Sequence, residues 1–280
     1  MQDHFQHCAA LVRGVDLDRY LAALFAPKAR RGPLFALYAF NAEISRIREL
    51  AREPMPGEIR LQWWREVLLE GRAGEAAAHP VARALLEAIS HHNLPRERLA
   101  ELIEARRFDV YDEPMASLAE LQAYAVATCG AIYECAVRIL AGPQVALADI
   151  AGEAGQAETV ADVIERLPRH AARHQLYVPL EILQHYGADP ADVYAMHATP
   201  EVRAALAELR LRARRHLSQV ADAGIPQLAR PAFLQLAPLW RWLVAMEDVD
   251  YDPFHPPEVP QWRRQWRIWR AAKSLRRIGD

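Results

Sequence analysis

Three carboxylates, Glu158, Asp162 and Glu165, recur at steps of four and three residues in a stretch that the sequence predicts to be helical. This spacing places all three on one face of the helix. Carboxylate oxygens in such a group are the ligands that Mg²⁺ prefers in proteins. The alternative is an acidic face that is solvated or paired internally with arginines such as Arg46 and Arg166. The pattern therefore predicts either a weak metal site or a set of ion pairs.

The elements that must position these carboxylates are predicted to be helices throughout. Alanine, leucine, arginine and glutamate dominate the sequence and long β-branched runs are absent, a composition that favours helix. The pattern predicts an all-α fold with helical segments at 3–24 (two pieces separated near Gly14), 34–50, 58–70, 80–90, 95–108, 118–140, 145–166, 200–223 and 231–246. Loops are predicted at 71–79 and 109–114, and helix caps at Asp16 or Asp18 and at Ser117.

The second of these segments, which begins near Pro33, is predicted to be the central buried helix because its apolar residues recur at three- and four-residue steps. In the next segment, Trp63 is expected to lie in the core with Ile59 and Val67. Its neighbour Trp64 is expected at the flank of the helix, because adjacent helical residues point about 100° apart.

The bulk composition limits the classes of function. The 280 residues are 52% hydrophobic, enough for a sizeable core, and the net charge of −2 argues against a nucleic-acid-binding protein. Three cysteines are typical of a reducing compartment. We expect no secretory signal and no membrane-spanning helix, because the first residues are polar and no run of about 18 apolar residues occurs. These features predict a cytoplasmic protein with one domain at 1–260, followed by a basic, tryptophan-rich helix at 261–280.

The C-terminal segment carries a second pattern with chemical meaning. Three tryptophans at steps of four and three residues form one narrow stripe: Trp262, Trp266 and Trp269. Arginines occupy the neighbouring arc of the helix: Arg263, Arg267, Arg270 and Arg277. Tryptophan settles at the headgroup level of a membrane and arginine attracts anionic lipid, so this segment predicts peripheral contact with the inner face of a membrane. The alternative is that the tryptophans pack against the domain and the arginines are solvated.

Two motifs point to a known family. Residues 36–40, Ala-Leu-Tyr-Ala-Phe, are followed by a polar helix end and then by Arg-Leu-Gln-Trp-Trp-Arg at 60–65. Together they resemble the squalene/phytoene synthase family, over roughly residues 5–250. The resemblance implies an isoprenoid-synthase-like helical bundle with a central cavity between the helices that hold the family-like stretches. In active members that cavity is where two prenyl diphosphates are joined head to head.

Two further stretches resemble the family, Tyr-Ala-Val-Ala-Thr-Cys-Gly at 124–130 and the segment 170–181. The resemblance also implies that the basic residues before the central helix face a substrate diphosphate; the alternative is a solvated charged face. The mid-helix glycine Gly130 predicts either close helix approach or room for a ligand. The pocket or diphosphate-binding residues implied by the resemblance are Tyr20, Arg30, Arg31, Tyr38, Asn41, Ser45, Glu49, Tyr124, Gly130, Asp162, Arg166, Arg173 and Tyr177.

The sequence departs from the family at its metal-binding motifs. Active members carry two aspartate-rich motifs that hold Mg²⁺ at the leaving diphosphate. Where the first should read like Val-Asp-Asp-Ile-Val-Asp, residues 44–49 read Ile-Ser-Arg-Ile-Arg-Glu. Where the second should read like Arg-Asp-Val-Gly-Glu-Asp, residues 165–170 read Glu-Arg-Leu-Pro-Arg-His. Arginine stays cationic and binds no metal, so only Glu49, Glu158 and Asp162 remain as weak metal candidates.

The sequence therefore predicts a squalene/phytoene synthase-like protein that has lost prenyl transfer and uses no cofactor. Arginines at these positions predict that a prenyl or lipid phosphate can still bind. The degenerate motifs resemble the branch of the family that includes the mitochondrial complex I assembly factor, which implies a respiratory-complex subunit as partner. The alternatives are an active, Mg²⁺-dependent prenyl diphosphate transferase that uses the displaced acids, a lipid carrier, or an unrelated helical binding protein.

Overall fold

The computed structural model describes residues 3–51, 53–70, 73–248 and 250–278, and every regular element within them is helical, which confirms the predicted all-α fold. The α-helices are α1 (Asp3–Val15), α2 (Leu17–Ala23), α3 (Lys28–Ser45), α4 (Ile47–Leu50), α5 (Pro54–Leu69), α6 (Ala73–Ala78), α7 (Pro80–His92), α8 (Arg96–Ala105), α9 (Leu118–Ala125), α10 (Ala131–Ala141), α11 (Ala148–Glu165), α12 (Leu167–Ala172), α13 (Leu180–His185), α14 (Pro190–Tyr194), α15 (Pro200–Asp222), α16 (Leu239–Ala245) and α17 (Gln261–Lys273). Short 3₁₀ turns lie at Arg106–Val110, Arg230–Ala232, Leu234–Leu236 and Leu275–Ile278. A π turn, Val126–Gly130, joins α9 to α10.

Two predicted helix starts are confirmed by their capping hydrogen bonds. The side chain of Asp16 accepts from the backbone N–H of Arg19 at 2.9 Å, so α1 and α2 separate at this residue. The hydroxyl of Ser117 accepts from the backbone N–H of Glu120 at 3.2 Å at the start of α9. Each cap satisfies a backbone donor that has no partner inside its own helix.

Several predicted boundaries are wrong, including those of the segment 231–246, which the structure divides into two 3₁₀ turns and α16. Helix α3 begins earlier than predicted, at Lys28. The segment 34–50 is divided between α3 and α4 because Arg46 leaves the helical backbone with φ −103° and ψ 5°. Helix α5 begins at Pro54 instead of at the predicted residue 58, because the missing N–H of proline is tolerated in the first turn of a helix. The predicted loop at 71–79 contains α6, whose alanines have high helix propensity; Gly71 and Arg72 lie outside the described residues.

The helix α3 is the centre of the fold. It packs against α1, α7 and α10, and most of its side chains are buried. Beyond α10, α11 packs against α15 and against the π turn. At that contact a Cβ added to Gly155 would lie 2.4 Å from the backbone N of Gly130, a distance that only glycine allows. Of the two interpretations of Gly130, close helix approach is therefore the one that the structure shows.

One helical segment in the described chain, Leu118–Ala141, is long and apolar enough to cross a membrane. Within its most apolar window, 67% of the residues are buried inside the fold. Burial of this kind is usual for the core helix of a globular domain, so the length and composition of this segment alone are weak grounds for a membrane span.

The two tryptophans of α5 are placed the other way round from the prediction. Trp64 is buried, with its ring centroid 5.0 Å from that of Phe40 on α3. Trp63 lies at the flank and donates from Nε1 to Glu75 at 2.9 Å, while Ile59 is 64% exposed. The buried face of α5 instead consists of Gly57, Leu61, Trp64, Val67 and Leu68. These residues recur at three- and four-residue steps, as one face of a helix requires.

We expect Trp64→Ala to lower the free energy of unfolding by about 3 kcal/mol, because it removes a buried indole and leaves a cavity beside Phe40. The matched substitution Trp63→Ala is expected to lower it by only about 1 kcal/mol, because that ring is partly exposed. Urea denaturation followed by far-ultraviolet circular dichroism measures both losses. A larger loss for Trp63→Ala than for Trp64→Ala would contradict this assignment of the core face.

The C-terminal helix α17 packs against α2 and against the 3₁₀ turn Leu234–Leu236. Its inner face includes the buried residues Ile268 and Ala271 and also Arg264, whose Nε donates to the carboxylate of Asp18 at 2.8 Å. The tryptophans face outward, with exposed fractions of 64% for Trp262, 49% for Trp266 and 48% for Trp269. The structure therefore contradicts the alternative in which these tryptophans pack against the domain.

Candidate functional site

Four arginines surround Glu49, which lies in the short helix α4 after the end of α3. Two of them lie at the junction between α11 and α12 or within α12. Nε of Arg46 donates to the Glu49 carboxylate at 3.3 Å, and Nη1 of Arg169 donates to its other oxygen at 2.9 Å. Arg166 and Arg173 act on the same carboxylate through their charges. We call these four arginines and Glu49 the arginine cluster. Arg46 and Glu49 come from residues 44–49, and Arg166 and Arg169 come from residues 165–170, the two segments in which the sequence departs from the family pattern; Arg173 follows the second segment.

The arginine cluster holds Glu49 in its charged form. Partial burial raises the pKa of Glu49, but the hydrogen bond from Arg46 and the charges of Arg169, Arg166 and Arg173 outweigh this effect. The pKa therefore lies below its ordinary value. A carboxylate whose two oxygens already accept from guanidinium groups is poorly placed to bind a metal ion.

The other two metal candidates are also paired with arginine. Asp162 lies 2.7 Å from Nε of Arg166, four residues along α11. Glu158 lies deeper and accepts from Nη2 of Arg19 at 2.7 Å. Within the described ranges, no group of three or more His, Cys, Asp and Glu side chains is arranged to hold a metal ion. The residues present therefore do not fit a Mg²⁺ cage, and the ion-pair alternative describes Glu49, Glu158 and Asp162.

The space between α3, α10 and α11, where the resemblance implies a central cavity, is occupied by side chains. Arg19 reaches into it from α2, is 6% exposed, and donates to Asp16 at 2.8 Å as well as to Glu158. Its guanidinium carbon lies 5.6 Å from the centroid of the Tyr38 ring. Burial lowers the pKa of Arg19, but the charges of Glu158 and Asp16 outweigh this, and the pKa lies well above its ordinary value. The interior at this point therefore contains a buried ion pair between Arg19 and Glu158.

Two predicted pocket residues, Tyr124 and Tyr177, meet at a buried aspartate. Both hydroxyls donate to Oδ1 of Asp109, each at 2.7 Å. Arg106 donates from Nη1 to the other oxygen of Asp109 at 3.1 Å and to the hydroxyl of Tyr124 at 2.5 Å. Burial raises the pKa of both tyrosines, so both hydroxyls stay protonated and act as donors. We call these four residues the Asp109 network.

Sequence reasoning missed Arg106, Asp109 and His170 as site residues. The sequence predicts Asp109 at the start of a loop, whereas it lies in the 3₁₀ turn Arg106–Val110. The imidazole of His170 lies 4.5 Å from the ring of Tyr177, and burial lowers the pKa of His170 to about 4, so it is neutral at pH 7. The sequence signal that could have indicated a polar partner such as Asp109 is the pair Tyr124 and Tyr177, because buried hydroxyls require a hydrogen-bond partner.

The basic residues before the central helix do not form a loop. Lys28 to Arg31 are the first turn of α3. Nη1 of Arg30 lies 2.8 Å from the imidazole of His92, and Nε of Arg31 donates to the backbone carbonyl of Ala26 at 2.9 Å. Both guanidinium groups are thus engaged locally, and neither Arg30 nor Arg31 belongs to the arginine cluster.

The remaining predicted pocket residues lie along α2 and α3. The ring of Tyr20 stacks on Phe35 with centroids 5.3 Å apart, and the hydroxyl of Ser45 donates to a backbone carbonyl of its own helix at 3.3 Å. The hydroxyl of Tyr38 and Oδ1 of Asn41 are buried without a hydrogen-bond partner among the described residues. These two atoms, one helical turn apart, retain unused hydrogen-bonding capacity next to the Arg19–Glu158 pair.

Comparison with known proteins agrees with this architecture. The sequence profile of the family described as squalene/phytoene synthase matches residues 12–270. The Rattus norvegicus protein "NADH dehydrogenase (ubiquinone) complex I, assembly factor 6" is 28% identical over 256 residues, which cover 91% of this chain and 77% of that protein. The crystal structure of squalene synthase HpnC from Alicyclobacillus acidocaldarius is 25% identical with a TM-score of 0.74, covering 87% of this chain and 93% of that chain.

A dehydrosqualene synthase in complex with ligand superposes with a TM-score of 0.85 at 17% identity, covering 97% of this chain and 96% of that chain. At this identity the likeness shows the shared fold alone. The family profile, in contrast, spans most of the chain and includes the motifs at 36–40 and 60–65. The chain belongs to the squalene/phytoene synthase family.

Proposed function

We propose that this protein is a non-catalytic member of its family that binds a prenyl or lipid phosphate and assists the assembly of respiratory complex I. The observation that carries the proposal is the arginine cluster. Ionisation of a prenyl diphosphate in this family relies on carboxylate-bound Mg²⁺ to neutralise the leaving group. Guanidinium groups at those positions can hold a phosphate but cannot hold the metal.

The charge balance of the cluster favours an anionic ligand. Arg46, Arg166, Arg169 and Arg173 stand against three carboxylates, Glu49, Asp162 and Glu165. The side chains of Arg46, Arg166 and Arg169 are 45%, 40% and 56% exposed, so solutes can reach them. A phosphate accepts paired hydrogen bonds from a guanidinium fork and can compete with Glu49 for Arg46 and Arg169.

An apolar surface next to the cluster suits a hydrocarbon chain. Leu50 follows Glu49 directly and is 58% exposed, and Met55 and Ile59 on the neighbouring helix α5 are 72% and 64% exposed. Met55 and Ile59 lie one turn apart on α5, and α4, which ends at Leu50, packs against α5. We infer that a ligand places its phosphate in the arginine cluster and its chain over this apolar surface, because the charged Arg19–Glu158 pair lies in the interior between α3 and α11.

The proposed partner and place of action rest on the relative from Rattus norvegicus, whose name assigns it to complex I assembly. By this reasoning the partner is a subunit of respiratory complex I, and the protein acts in the cytoplasm at the inner face of the membrane. Deletion of the gene is expected to reduce the amount of assembled complex I, measured on native gels. Normal levels in the deletion strain would contradict the assembly role without bearing on ligand binding.

The second candidate function is a prenyl diphosphate transferase, favoured by the 25% identity to squalene synthase HpnC. It would use Asp162, whose side chain is 46% exposed, and Glu49 as displaced ligands for Mg²⁺. We expect purified protein with Mg²⁺ and farnesyl or geranylgeranyl diphosphate to release no diphosphate above the rate without protein. Turnover that is abolished by Asp162→Ala would establish the enzyme and overturn our proposal.

Ligand binding is tested separately from turnover by titration calorimetry with farnesyl diphosphate in the presence of a chelator. We expect the double variant R166Q/R169Q to bind at least about tenfold more weakly, because each charged hydrogen bond contributes about 1.5–3 kcal/mol. The matched control R60Q/R65Q removes two exposed arginines from α5 and is expected to bind as the wild type does. Equal affinity of the two double variants would exclude the arginine cluster as the phosphate site.

A further inference from the structure

The outer face of α17 is an exposed aromatic stripe on a firmly attached helix. Ile268 and Ala271 are buried against the domain, and the ion pair between Arg264 and Asp18 fixes the same side. Trp262 and Trp266 project from the opposite side, together with Trp269. Folded proteins seldom leave several large apolar side chains aligned in water, and such surfaces usually mark an interaction site.

Each tryptophan of the stripe carries a cation over its ring. The guanidinium carbon of Arg263 lies 5.2 Å from the centroid of Trp262, and that of Arg270 lies 4.7 Å from Trp266. The ammonium of Lys273 lies 3.7 Å from the centroid of Trp269. The positive charge of the face is thus held directly at the aromatic stripe instead of on a separate arc of the helix.

No acidic residue of α17 offsets this charge, since Gln261–Lys273 contains five basic residues and no Asp or Glu. Of the five, Arg264 points inward to a carboxylate of the domain, that of Asp18. Burial and the charges of Arg241, Arg270 and Arg263 lower the pKa of Arg267. Arg241 of α16 therefore adds to the positive electrostatic potential of α17. Asp18, Glu165 and Asp16, the acids that act on Arg264, lie on the inner side of α17.

We propose that the outer face of α17, formed by Trp262, Trp266, Trp269, Arg263, Arg270 and Lys273, binds the surface of an anionic lipid bilayer. Tryptophan rings settle at the headgroup level, where the indole N–H keeps a hydrogen-bond partner and the ring leaves water. Basic residues beside them add attraction to anionic headgroups. The face is the exposed side of a single helix, which is convex, so it fits the planar surface of a membrane better than an inserted peptide.

The attachment of α17 to the domain fixes how the protein would lie on the bilayer. The positive charge of Arg264 attracts the carboxylate of Glu165. Glu165 is the last residue of α11 and directly precedes Arg166 of the arginine cluster. The membrane-binding face is therefore rigidly linked to the end of the molecule that carries the proposed phosphate site. This inference does not depend on the proposed function, since the two surfaces consist of different residues.

Co-sedimentation of the full chain with vesicles tests the proposal. We expect the wild type to sediment with phosphatidylglycerol/phosphatidylcholine vesicles at about 50 mM salt, and to be released at about 500 mM, where exposed charges are screened. It should stay in the supernatant with phosphatidylcholine alone. The variant R263Q/R270Q/K273Q should lower the partition coefficient by about 100-fold, since each basic residue contributes about a factor of five.

The variant W262S/W266S/W269S should also lose at least about tenfold in partition coefficient while keeping its unfolding midpoint, because these rings are exposed. The matched control R60Q/R65Q/R83Q removes three exposed arginines elsewhere and should bind vesicles as the wild type does. Both α17 variants should keep their affinity for farnesyl diphosphate. If the wild type remains in the supernatant with anionic vesicles, or if the tryptophan variant sediments like the wild type, the face binds a protein or nothing and the proposal is overturned.

Discussion

Replacing Arg19 by methionine is expected to lower the free energy of unfolding by about 4–5 kcal/mol. The substitution keeps a long side chain but removes the only cation that bonds to both Asp16 and Glu158 in the described structure. Burial raises the pKa of Glu158, so its carboxylate is the one left without compensation in the interior. Urea denaturation measures the loss, and the matched substitution Arg13→Met, at an exposed arginine on α1, should cost less than about 1 kcal/mol.

The double variant R19M/E158L separates charge from packing. Because it removes both buried charges, we expect it to recover most of the stability lost in Arg19→Met, to within about 1–2 kcal/mol of the wild type. A double variant no more stable than Arg19→Met alone would mean that Arg19 stabilises the fold by filling space between α2, α3 and α11. A loss below about 1 kcal/mol in the single variant would show that the ion pair is not buried in solution.

Replacing Gly155 by alanine is expected to cost about 4 kcal/mol or more, above the usual range for overpacking. The added Cβ would lie 2.4 Å from the backbone N and 2.7 Å from the Cα of Gly130, and backbone atoms cannot rotate away. Helix α11 would have to move from the π turn and would also disturb its packing on α15. A loss of this size is a large part of the stability of an ordinary domain, about 5–15 kcal/mol.

The control for Gly155→Ala lies one turn earlier on the same helix. A Cβ on Gly152 would meet its nearest neighbour, a Val126 methyl group, at 3.7 Å, an ordinary contact. Gly152→Ala should therefore be neutral or stabilising by up to about 1 kcal/mol, since alanine has the higher helix propensity. Thermal and urea unfolding of the two variants measure the difference in stability between them. Equal unfolding midpoints would show that α11 and the π turn do not touch as described.

The helices could be predicted because their signals are local. Asp16 and Ser117 cap the helices that they were expected to cap, since a cap depends on residues within one turn. The orientation of α5 could not be predicted in the same way. Ile59–Trp63–Val67 and Leu61–Trp64–Leu68 are both valid helical faces, and the choice between them depends on Phe40 in another helix. Periodicity identifies the helix but leaves two competing faces when apolar residues are abundant.

The candidate site, too, could be predicted where its signals are local and not where they depend on residues far apart in the sequence. The departure of residues 44–49 and 165–170 from the family pattern could be recognised in the sequence, and the structure places Arg46, Arg166 and Arg169 from these segments around Glu49, whereas Arg48 pairs with Asp112. The partner of Glu158 was not visible, because Arg19 lies 139 residues away and looks like a solvated residue of a short helix. The Asp109 network was missed for the same reason, since Asp109 and Tyr177 are 68 residues apart.

The π turn at Val126–Gly130 has a consequence for sequence alignment. A π turn contains one residue more than the α-helical path it replaces, so α10 is rotated by about 100° from the phase that α9 alone would give it. This offset lets Tyr124 reach Asp109 on one side of the turn while Gly130 meets Gly155 on the other. Removing a single residue here would leave a regular helix but would swing the buried ring of Tyr133 out of its stack on Phe233. A relative with one residue fewer in this segment should therefore be aligned with the gap inside the helix, because the extra residue is absorbed here and not in a loop.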